Sequence, residues 1–270
     1  MLTVTNKDDV TAIKGSVKRG GISMSVYLYI VDELLIDTGP ARLQRELASQ
    51  LEKQHYNKII LTHHHEDHTG NAHSLSKGVP IYSHATGIEL CKQQPKLPFY
   101  RKVFWGNRKP FSPMPLGHQV RTEHCTFDVI HTPGHAPDHV ALLEKDKGWL
   151  FSGDLYVMSK PKSIFAFESI PDIIDSIEKV MQCDFETMYC SHSGVLPNGR
   201  VRLEEKLTYL KAVQYDVLSK HHEGKSASII QKELFPSAHP LHYFSLFENS
   251  PKHIVTSIIT RSSPQSCKKV

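Results

Sequence analysis

Histidine and acidic residues gather in one short segment, which follows Thr62 and reads His-His-His-Glu-Asp-His. Imidazole nitrogens and carboxylate oxygens bind metal ions, and a catalytic ion needs several of them at one point. Side chains of an extended segment point alternately to opposite sides. We therefore expect His63 and His65 to face one metal ion and Asp67 and His68 to reach a second. His64 and Glu66 are expected to point elsewhere.

Each of three further segments contains one potential metal donor, at a position where a strand is predicted to end. His135 follows a Thr-Pro-Gly turn, Asp154 follows Phe-Ser-Gly, and His192 follows Cys-Ser. A single histidine is more often structural than a ligand, so none of these segments is decisive alone. Four such segments in one chain indicate a metal centre.

The predicted strands and helices are the elements that must position these donors. Apolar and β-branched residues predict strands over residues 25–31, 34–36, 58–62, 79–83, 119–123, 126–131, 139–143, 148–151 and 187–190. Periodic apolar residues and capping signals predict helices from Pro40 to about Gln54, over 170–181, from Arg200 to Gly224, and over 226–235 and 251–260. The pattern predicts an α/β protein with its site where strands end.

Together with Asp37-Thr38-Gly39, the four donor segments resemble the metallo-β-lactamase superfamily. The resemblance covers roughly residues 10–195 and includes glyoxalase II, the lactonases and the lactamase-β-2-like proteins. It implies an αββα sandwich over residues 1–199, with two face-to-face sheets and helices outside. Residues 200–270 are expected to form a small helical C-terminal region.

The same resemblance implies how two metal ions are held. The first ion would be bound by His63, His65 and His135, the second by Asp67, His68 and His192, and Asp154 would bridge both. Such a donor set without thiolate suits Zn²⁺, with Fe or Mn as alternatives. Two cations about 3.5–4 Å apart share a bridging hydroxide that attacks the substrate, and Asp67 is the expected catalytic proton acceptor. Asp37 is expected to support the site, and the roles of His131 and His139 stay open between orienting ligands and packing.

Several substrates and reactions fit this ligand set. A small ester, thioester or lactone ranks first. The glutathione-binding sequence of glyoxalase II is not recognisable in residues 155–162. A nucleic-acid phosphodiesterase or ribonuclease of the same fold ranks second, an iron-dependent oxidoreductase third, and a non-enzyme last, because no ligand is missing.

Residues 93–118 form an aromatic, proline-rich segment that carries four cations, Arg101, Lys102, Arg108 and Lys109. Long segments of this kind are often functional. A lid over a small substrate, a surface for nucleic acid and plain packing against the core are three interpretations, of which we prefer the lid to the nucleic-acid surface.

The amino-acid composition limits the classes of protein to which the chain could belong. The chain has 39% hydrophobic and 22% charged residues, which is typical of a globular protein, and a net charge of +4 provides no broad basic face. We find no membrane-spanning apolar run and no signal peptide, and therefore expect a cytoplasmic protein without a membrane partner. The five cysteines are odd in number and lack C-x-x-C spacing, so no disulfide framework or zinc ribbon is expected.

Overall fold

The strands and helices of the protein are defined by a computed structural model that describes residues 1–19, 21–237 and 240–262. Cys267 and the last part of the predicted C-terminal region lie outside the described residues. The strands are β1 (Leu2–Lys7), β2 (Val10–Arg19), β3 (Ile22–Val31), β4 (Leu34–Ile36), β5 (Lys58–Ile60), β6 (Ile81–Ser83), β7 (Met114–Pro115), β8 (Gln119–Arg121), β9 (Thr126–His131), β10 (Val140–Glu144), β11 (Trp149–Gly153), β12 (Ile164–Phe165), β13 (Thr187–Cys190), β14 (Gly194–Leu196) and β15 (Asn249–Ser250). The helices are α1 (Gln44–Leu51), α2 (Glu66–Thr69), α3 (Ala72–Leu75), α4 (Ile88–Lys92), α5 (Phe99–Trp105), α6 (Ile170–Met181), α7 (Gly199–His222), α8 (Ala227–Leu234), α9 (Pro240–Phe244) and α10 (Pro251–Ser262).

The first compact unit comprises residues 1–131, 137–157 and 184–200 and contains two sheets. One sheet has seven strands in the order β1-β2-β3-β4-β5-β6-β7, and the other has six in the order β14-β13-β11-β10-β9-β8. Strand β4 is parallel to β5, and β11 is parallel to β13. Parallel neighbours end at the same edge of a sheet, so the loops after these strands emerge together in each sheet.

The two sheets pack face to face through one apolar core, as the superfamily resemblance implies. Tyr29 of β3 is buried in this core, with its ring edge-on to Phe151 at 5.6 Å and to Tyr189 at 5.4 Å between centroids. The Tyr29 hydroxyl donates a hydrogen bond to the carbonyl of Cys190 at 2.7 Å, which satisfies its polar end in the core. Tyr29 therefore joins the first sheet to the end of β13 in the second.

The second compact unit comprises residues 132–136, 158–183 and the chain from residue 201. Its helix α6 begins where predicted, because Ser169 accepts a hydrogen bond from the backbone N–H of Asp172 at 3.4 Å. Strands β12 and β15 form a short antiparallel ribbon. The longest helix, α7, has 24 residues. Among the described residues, no helix is long and apolar enough to cross a membrane.

The 93–118 segment differs from a free lid or phosphate-binding loop. It contains helix α5, in which Tyr100, Phe104 and Trp105 are buried. Arg108 is also buried and donates to the carbonyls of Leu90, Cys91 and Gln93, which end α4. The interpretation as packing against the core fits this part of the segment.

Arg101 of α5 forms a buried ion pair with Glu66, the residue between two predicted metal donors. The guanidinium Nε and Nη2 donate to the two carboxylate oxygens at 2.6 and 2.8 Å. Burial raises the pKa of Glu66, and pairing with Arg101 opposes that rise. Arg101 is therefore committed to the donor segment and is not available for a phosphate.

Replacing Arg101 by Ala should strongly destabilise the protein. A buried carboxylate that loses its partner costs about 3–5 kcal/mol of unfolding free energy. The exposed neighbour Lys102 supplies the control, and Lys102→Ala should change this free energy by less than about 0.5 kcal/mol. Urea unfolding of chelator-treated protein measures both, and equal losses in the two variants would contradict a structural role for the pair.

Candidate metal centre

Asp37, at the end of β4, anchors the beginning of the donor segment at the end of β5. Its Oδ1 accepts a hydrogen bond from the backbone N–H of Thr62 at 2.8 Å, and its Oδ2 accepts from the Thr62 hydroxyl at 2.9 Å. Asp37 has a φ of 63°, a left-handed conformation that aspartate tolerates better than most residues. The carboxylate therefore holds the backbone immediately before His63.

The same carboxylate orients His68 at the other end of the donor segment. Nδ1 of His68 lies 2.8 Å from Asp37 Oδ2, which assigns a ring proton to Nδ1 and turns Nε2 toward the other donors. Thr38 adds two hydrogen bonds to the His68 carbonyl, from its backbone N–H at 2.7 Å and from its hydroxyl at 2.9 Å. These contacts place the Asp37 carboxylate against both ends of the donor segment, and its expected role in supporting a metal site stays a prediction.

His63 and His65 present nitrogens to each other, as the alternation argument predicts. Nε2 of His63 lies 3.0 Å from Nδ1 of His65, so both atoms can reach one cation at ligand distances of about 2.0–2.1 Å. Both side chains are buried. His64 instead places its Nδ1 2.7 Å from Asp138 Oδ1, so it points away from this pair's shared space.

The donors predicted for the second ion also converge. Nε2 of His68 is buried and makes no hydrogen bond, and it lies 3.7 Å from Asp67 Oδ2 and 3.5 Å from Asp154 Oδ2. Nε2 of His192 lies 3.5 Å from Asp67 Oδ2 and 3.1 Å from Asp154 Oδ2. In the first unit, two groups bring their donor atoms within 4.8 Å of one another: His63, His68 and Asp154, and Asp67, His68 and His192.

This donor geometry fits a divalent cation. A buried imidazole nitrogen without a hydrogen-bond partner is costly unless an ion or a proton acceptor uses it. The facing carboxylates supply negative charge, and the absence of thiolate suits hard or borderline ions such as Zn²⁺. The residues present therefore could hold a metal ion.

Neighbouring groups fix the orientation of Asp154 and His192. The backbone N–H of Asp154 donates to Nε2 of His139 at 2.9 Å, so His139 orients a potential ligand. Nδ1 of His192 donates to the carbonyl of Ser25 at 2.7 Å, which directs Nε2 toward the carboxylates. His131, in contrast, contacts the Pro137 carbonyl at 2.9 Å and stacks on His84, and neither partner is a predicted metal donor.

Charges within the cluster shift its protonation when no ion is bound. Burial disfavours the charged imidazolium, but the carboxylates of Asp154 and Asp67 outweigh it and raise the pKa of His68 well above its ordinary value. The same balance raises the pKa of His192 to about 9. Burial favours neutral Asp154, yet His192 and His68 hold the pKa of Asp154 well below its usual range.

His135 belongs to the second compact unit. Its Nδ1 lies 2.7 Å from Oε1 of Glu168, and this hydrogen bond fixes the orientation of the imidazole ring. Carboxylates orient metal-binding histidines in proteins in the same way. The turn before it is constrained, because Gly134 has a φ of 131° and a Cβ there would lie 2.5 Å from the backbone nitrogen of Ile173. Glu168 was missed by the sequence reasoning, and no local signal distinguishes it from other acids near a helix start.

The fold and the donor cluster together define a mixed α/β sandwich protein with a candidate metal centre. Residues 24–192 match the family described as the metallo-beta-lactamase superfamily. The chain belongs to this superfamily, which confirms the resemblance inferred from the donor segments.

Relatives and solved structures agree with this assignment. A beta-lactamase-like protein 2 homolog of Drosophila melanogaster is 29% identical over 182 residues, 62% of this chain and 58% of that protein. A hydroxyacylglutathione hydrolase of Legionella pneumophila is 28% identical over 141 residues, 52% of this chain and 49% of that protein. The matches thus span about half of these relatives. A metallo-beta-lactamase family protein from Thermus thermophilus has a TM-score of 0.67 at 20% identity, covering 94% of this chain and 93% of that one, which confirms the predicted fold.

Zinc loading of metal-free protein at pH 7.5 should release protons. The raised pKa values mean that His68 and His192 carry protons at this pH, and a metal ligand must be neutral imidazole. Above pH 9 His192 is already neutral, so the release should fall. Titration calorimetry in buffers of different ionisation enthalpy measures the proton count, and a heat that does not depend on the buffer would contradict this protonation state.

Asp37→Asn should weaken zinc binding by about 10- to 100-fold, which is typical for the loss of a group that orients a ligand. The amide presents N–H groups where Thr62 and His68 need acceptors. Asp138→Asn is the matched control, because Asp138 pairs with the non-ligand His64. Competition with a chromophoric chelator measures both affinities, and the idea fails if the two variants bind zinc equally well.

Proposed function

We propose that the chain is a metal-dependent hydrolase with two divalent cations, and that these are Zn²⁺ in preference to Fe or Mn. The ligands would be His63, His65 and His135 for one ion, Asp67, His68 and His192 for the other, and Asp154 between them. The observation that carries the proposal is the buried Nε2 of His68, which makes no hydrogen bond and faces two carboxylates. The placement of His135 in this set rests on the superfamily resemblance.

The proposed reaction is hydrolysis of a small ester, thioester or lactone. When bound, two such cations supply Lewis acidity and activation of water. A relative named hydroxyacylglutathione hydrolase supports an acyl substrate. No serine or cysteine nucleophile is required, and Cys190 is buried with its pKa raised, first of all by desolvation.

The residues of the chain would contribute orientation and proton transfer. Asp37, His139 and Glu168 hold three donors in place through the hydrogen bonds described above. Asp67 is the proposed proton acceptor, since its Oδ2 lies among the Nε2 atoms of His68 and His192. It would take the proton that the attacking water loses.

The nucleic-acid alternative loses the support it had from the 93–118 segment. Arg101 is held by Glu66 and Arg108 by three carbonyl groups, so two of the four cations are occupied within the protein. Lys102 and Lys109 are exposed, and two contacts to a single strand predict only a shallow salt dependence of binding.

The test is to measure hydrolysis of thioesters, lactones, phosphodiesters and single-stranded RNA side by side, with protein whose metal content is known. We expect about two metal ions per chain, turnover of an acyl substrate, and loss of turnover in His63→Ala and Asp154→Ala. His64→Ala is the control, and it should retain most of the activity because His64 pairs with Asp138.

Three results would contradict the proposal. The first is a metal content below one ion per chain after zinc loading. The second is cleavage of RNA alone. The third is a His64→Ala variant as inactive as His63→Ala, which would show that the alternation argument does not identify the ligands.

A further inference from the structure

Two loops of the first unit carry the proposed ligands Asp154 and His192. Asp154 follows β11 and His192 lies in residues 191–193 after β13, and these two strands are parallel neighbours in one sheet. Nε2 of His192 lies 3.1 Å from Oδ2 of Asp154. A shared ion needs this approach to be fixed, and the backbone of each loop must therefore be fixed as well.

One hydrogen bond joins the two loops where the strands end. The backbone N–H of Ser191 donates to the carbonyl of Gly153 at 3.1 Å. Ser191 precedes His192 and Gly153 precedes Asp154, so this bond fixes the start of both loops. The residues beyond the two side chains need a further contact.

That further contact lies beyond both proposed ligands. The hydroxyl of Ser193 donates a hydrogen bond to the carbonyl of Val157. Ser193 follows His192 directly, and Val157 lies three residues after Asp154. Each proposed ligand therefore lies between two hydrogen bonds that join its loop to the other.

The 191–193 loop is itself held by β3 of the other sheet. The backbone N–H of Tyr27 donates to the carbonyl of Ser191 at 2.7 Å. Nδ1 of His192 donates to the carbonyl of Ser25 at 2.7 Å. Two successive residues of this loop are thus fixed, so the loop provides a firm partner for the chain at Val157.

Val157 has a backbone conformation that a valine rarely adopts. Its φ is 52°, in the left-handed region, where the Cβ of a β-branched residue is crowded by the backbone. Strain of this kind persists only where the surrounding structure imposes it. The hydrogen bond from Ser193 acts directly on this residue, and without it the backbone would relax toward a negative φ.

The chain between Asp154 and Val157 is short and packed. Leu155 and Tyr156 are both buried. The backbone N–H of Leu155 donates to the carbonyl of Ser152 at 3.0 Å, which closes a turn around Asp154. Close-packed neighbours transmit strain, so a rotation at Val157 would shift the backbone that presents the carboxylate.

We propose that Ser193 is a positioning residue for metal binding, because its hydroxyl keeps Val157 in the left-handed conformation and so fixes the backbone that presents Asp154. The serine acts through the Val157 carbonyl and is not itself a ligand. This inference rests on the proposed function, because it takes Asp154 and His192 as metal ligands.

Zinc affinity, measured by competition with a chromophoric chelator, tests the role of the hydroxyl. Ser193→Ala should weaken zinc binding by about 10-fold, and Ser193→Thr, which keeps the hydroxyl, should change it by less than about twofold. Ser76→Ala is the matched control, because the Ser76 hydroxyl also donates to a backbone carbonyl, that of His73, which is not a proposed ligand.

A second substitution separates backbone strain from the simple loss of a hydrogen bond. Glycine adopts a positive φ without steric cost, so Val157→Gly alone should leave zinc affinity unchanged. In the double variant Ser193→Ala/Val157→Gly the affinity should return to within about threefold of the unsubstituted protein, because the left-handed conformation no longer needs the hydroxyl. A double variant as weak as Ser193→Ala would overturn the inference, and so would normal zinc binding by Ser193→Ala.

Amide hydrogen exchange of the metal-free protein tests the contact between the loops without any ion. Ser193→Ala should speed the exchange of the amides of residues 155–157 by about tenfold or more, because local opening becomes easier, whereas Ser76→Ala should not. Unchanged exchange in Ser193→Ala, in a protein that binds zinc, would keep the proposed function and reject the inference. Faster exchange in a protein that binds no zinc would reject the proposed function and, with it, the role of Ser193 in metal binding.

Discussion

The candidate metal centre depends first on one buried carboxylate, that of Asp37. It accepts hydrogen bonds from the backbone of Thr62 and from Nδ1 of His68, so it holds the donor segment at both ends. It can do so because β4 and β5 are parallel neighbours whose ends meet at one edge of the sheet. Without this acceptor two buried donors would be unsatisfied, and His68 could turn its other nitrogen to the site.

Burying several imidazoles and carboxylates together is costly unless their charges are balanced. In the absence of an ion the balance comes from protons: the pKa of His68 is raised while that of Asp154 is lowered, so the two form an internal ion pair. A divalent cation bound there would replace those protons with a charge at the same place. One donor set could then serve both the folding of the metal-free chain and the binding of metal.

Hydrogen bonds from neighbouring residues fix the orientation of several candidate metal donors. His139 accepts from the backbone of Asp154, Glu168 holds His135, and Arg101 neutralises Glu66 within the donor segment. Each of these groups uses a hydrogen bond to fix a side chain that has several rotamers in solution. Orientation of this kind lets a loop present ligands with the precision that a metal ion needs.

Local patterns in the sequence predict several strands, one helix and the segment that carries most of the candidate metal donors. Strands β9 and β13 and helix α6 have the bounds expected from apolar periodicity and the Ser169 cap, and the spacing of residues 63–68 identified the donor segment. These features depend on neighbouring residues alone. Helix α5, the pairing of Glu66 with Arg101 across 35 residues, and the hold of Glu168 on His135 were decided only by the tertiary structure. A buried charge can be satisfied by any residue that folding brings within reach, and the sequence carries no local record of which one that is.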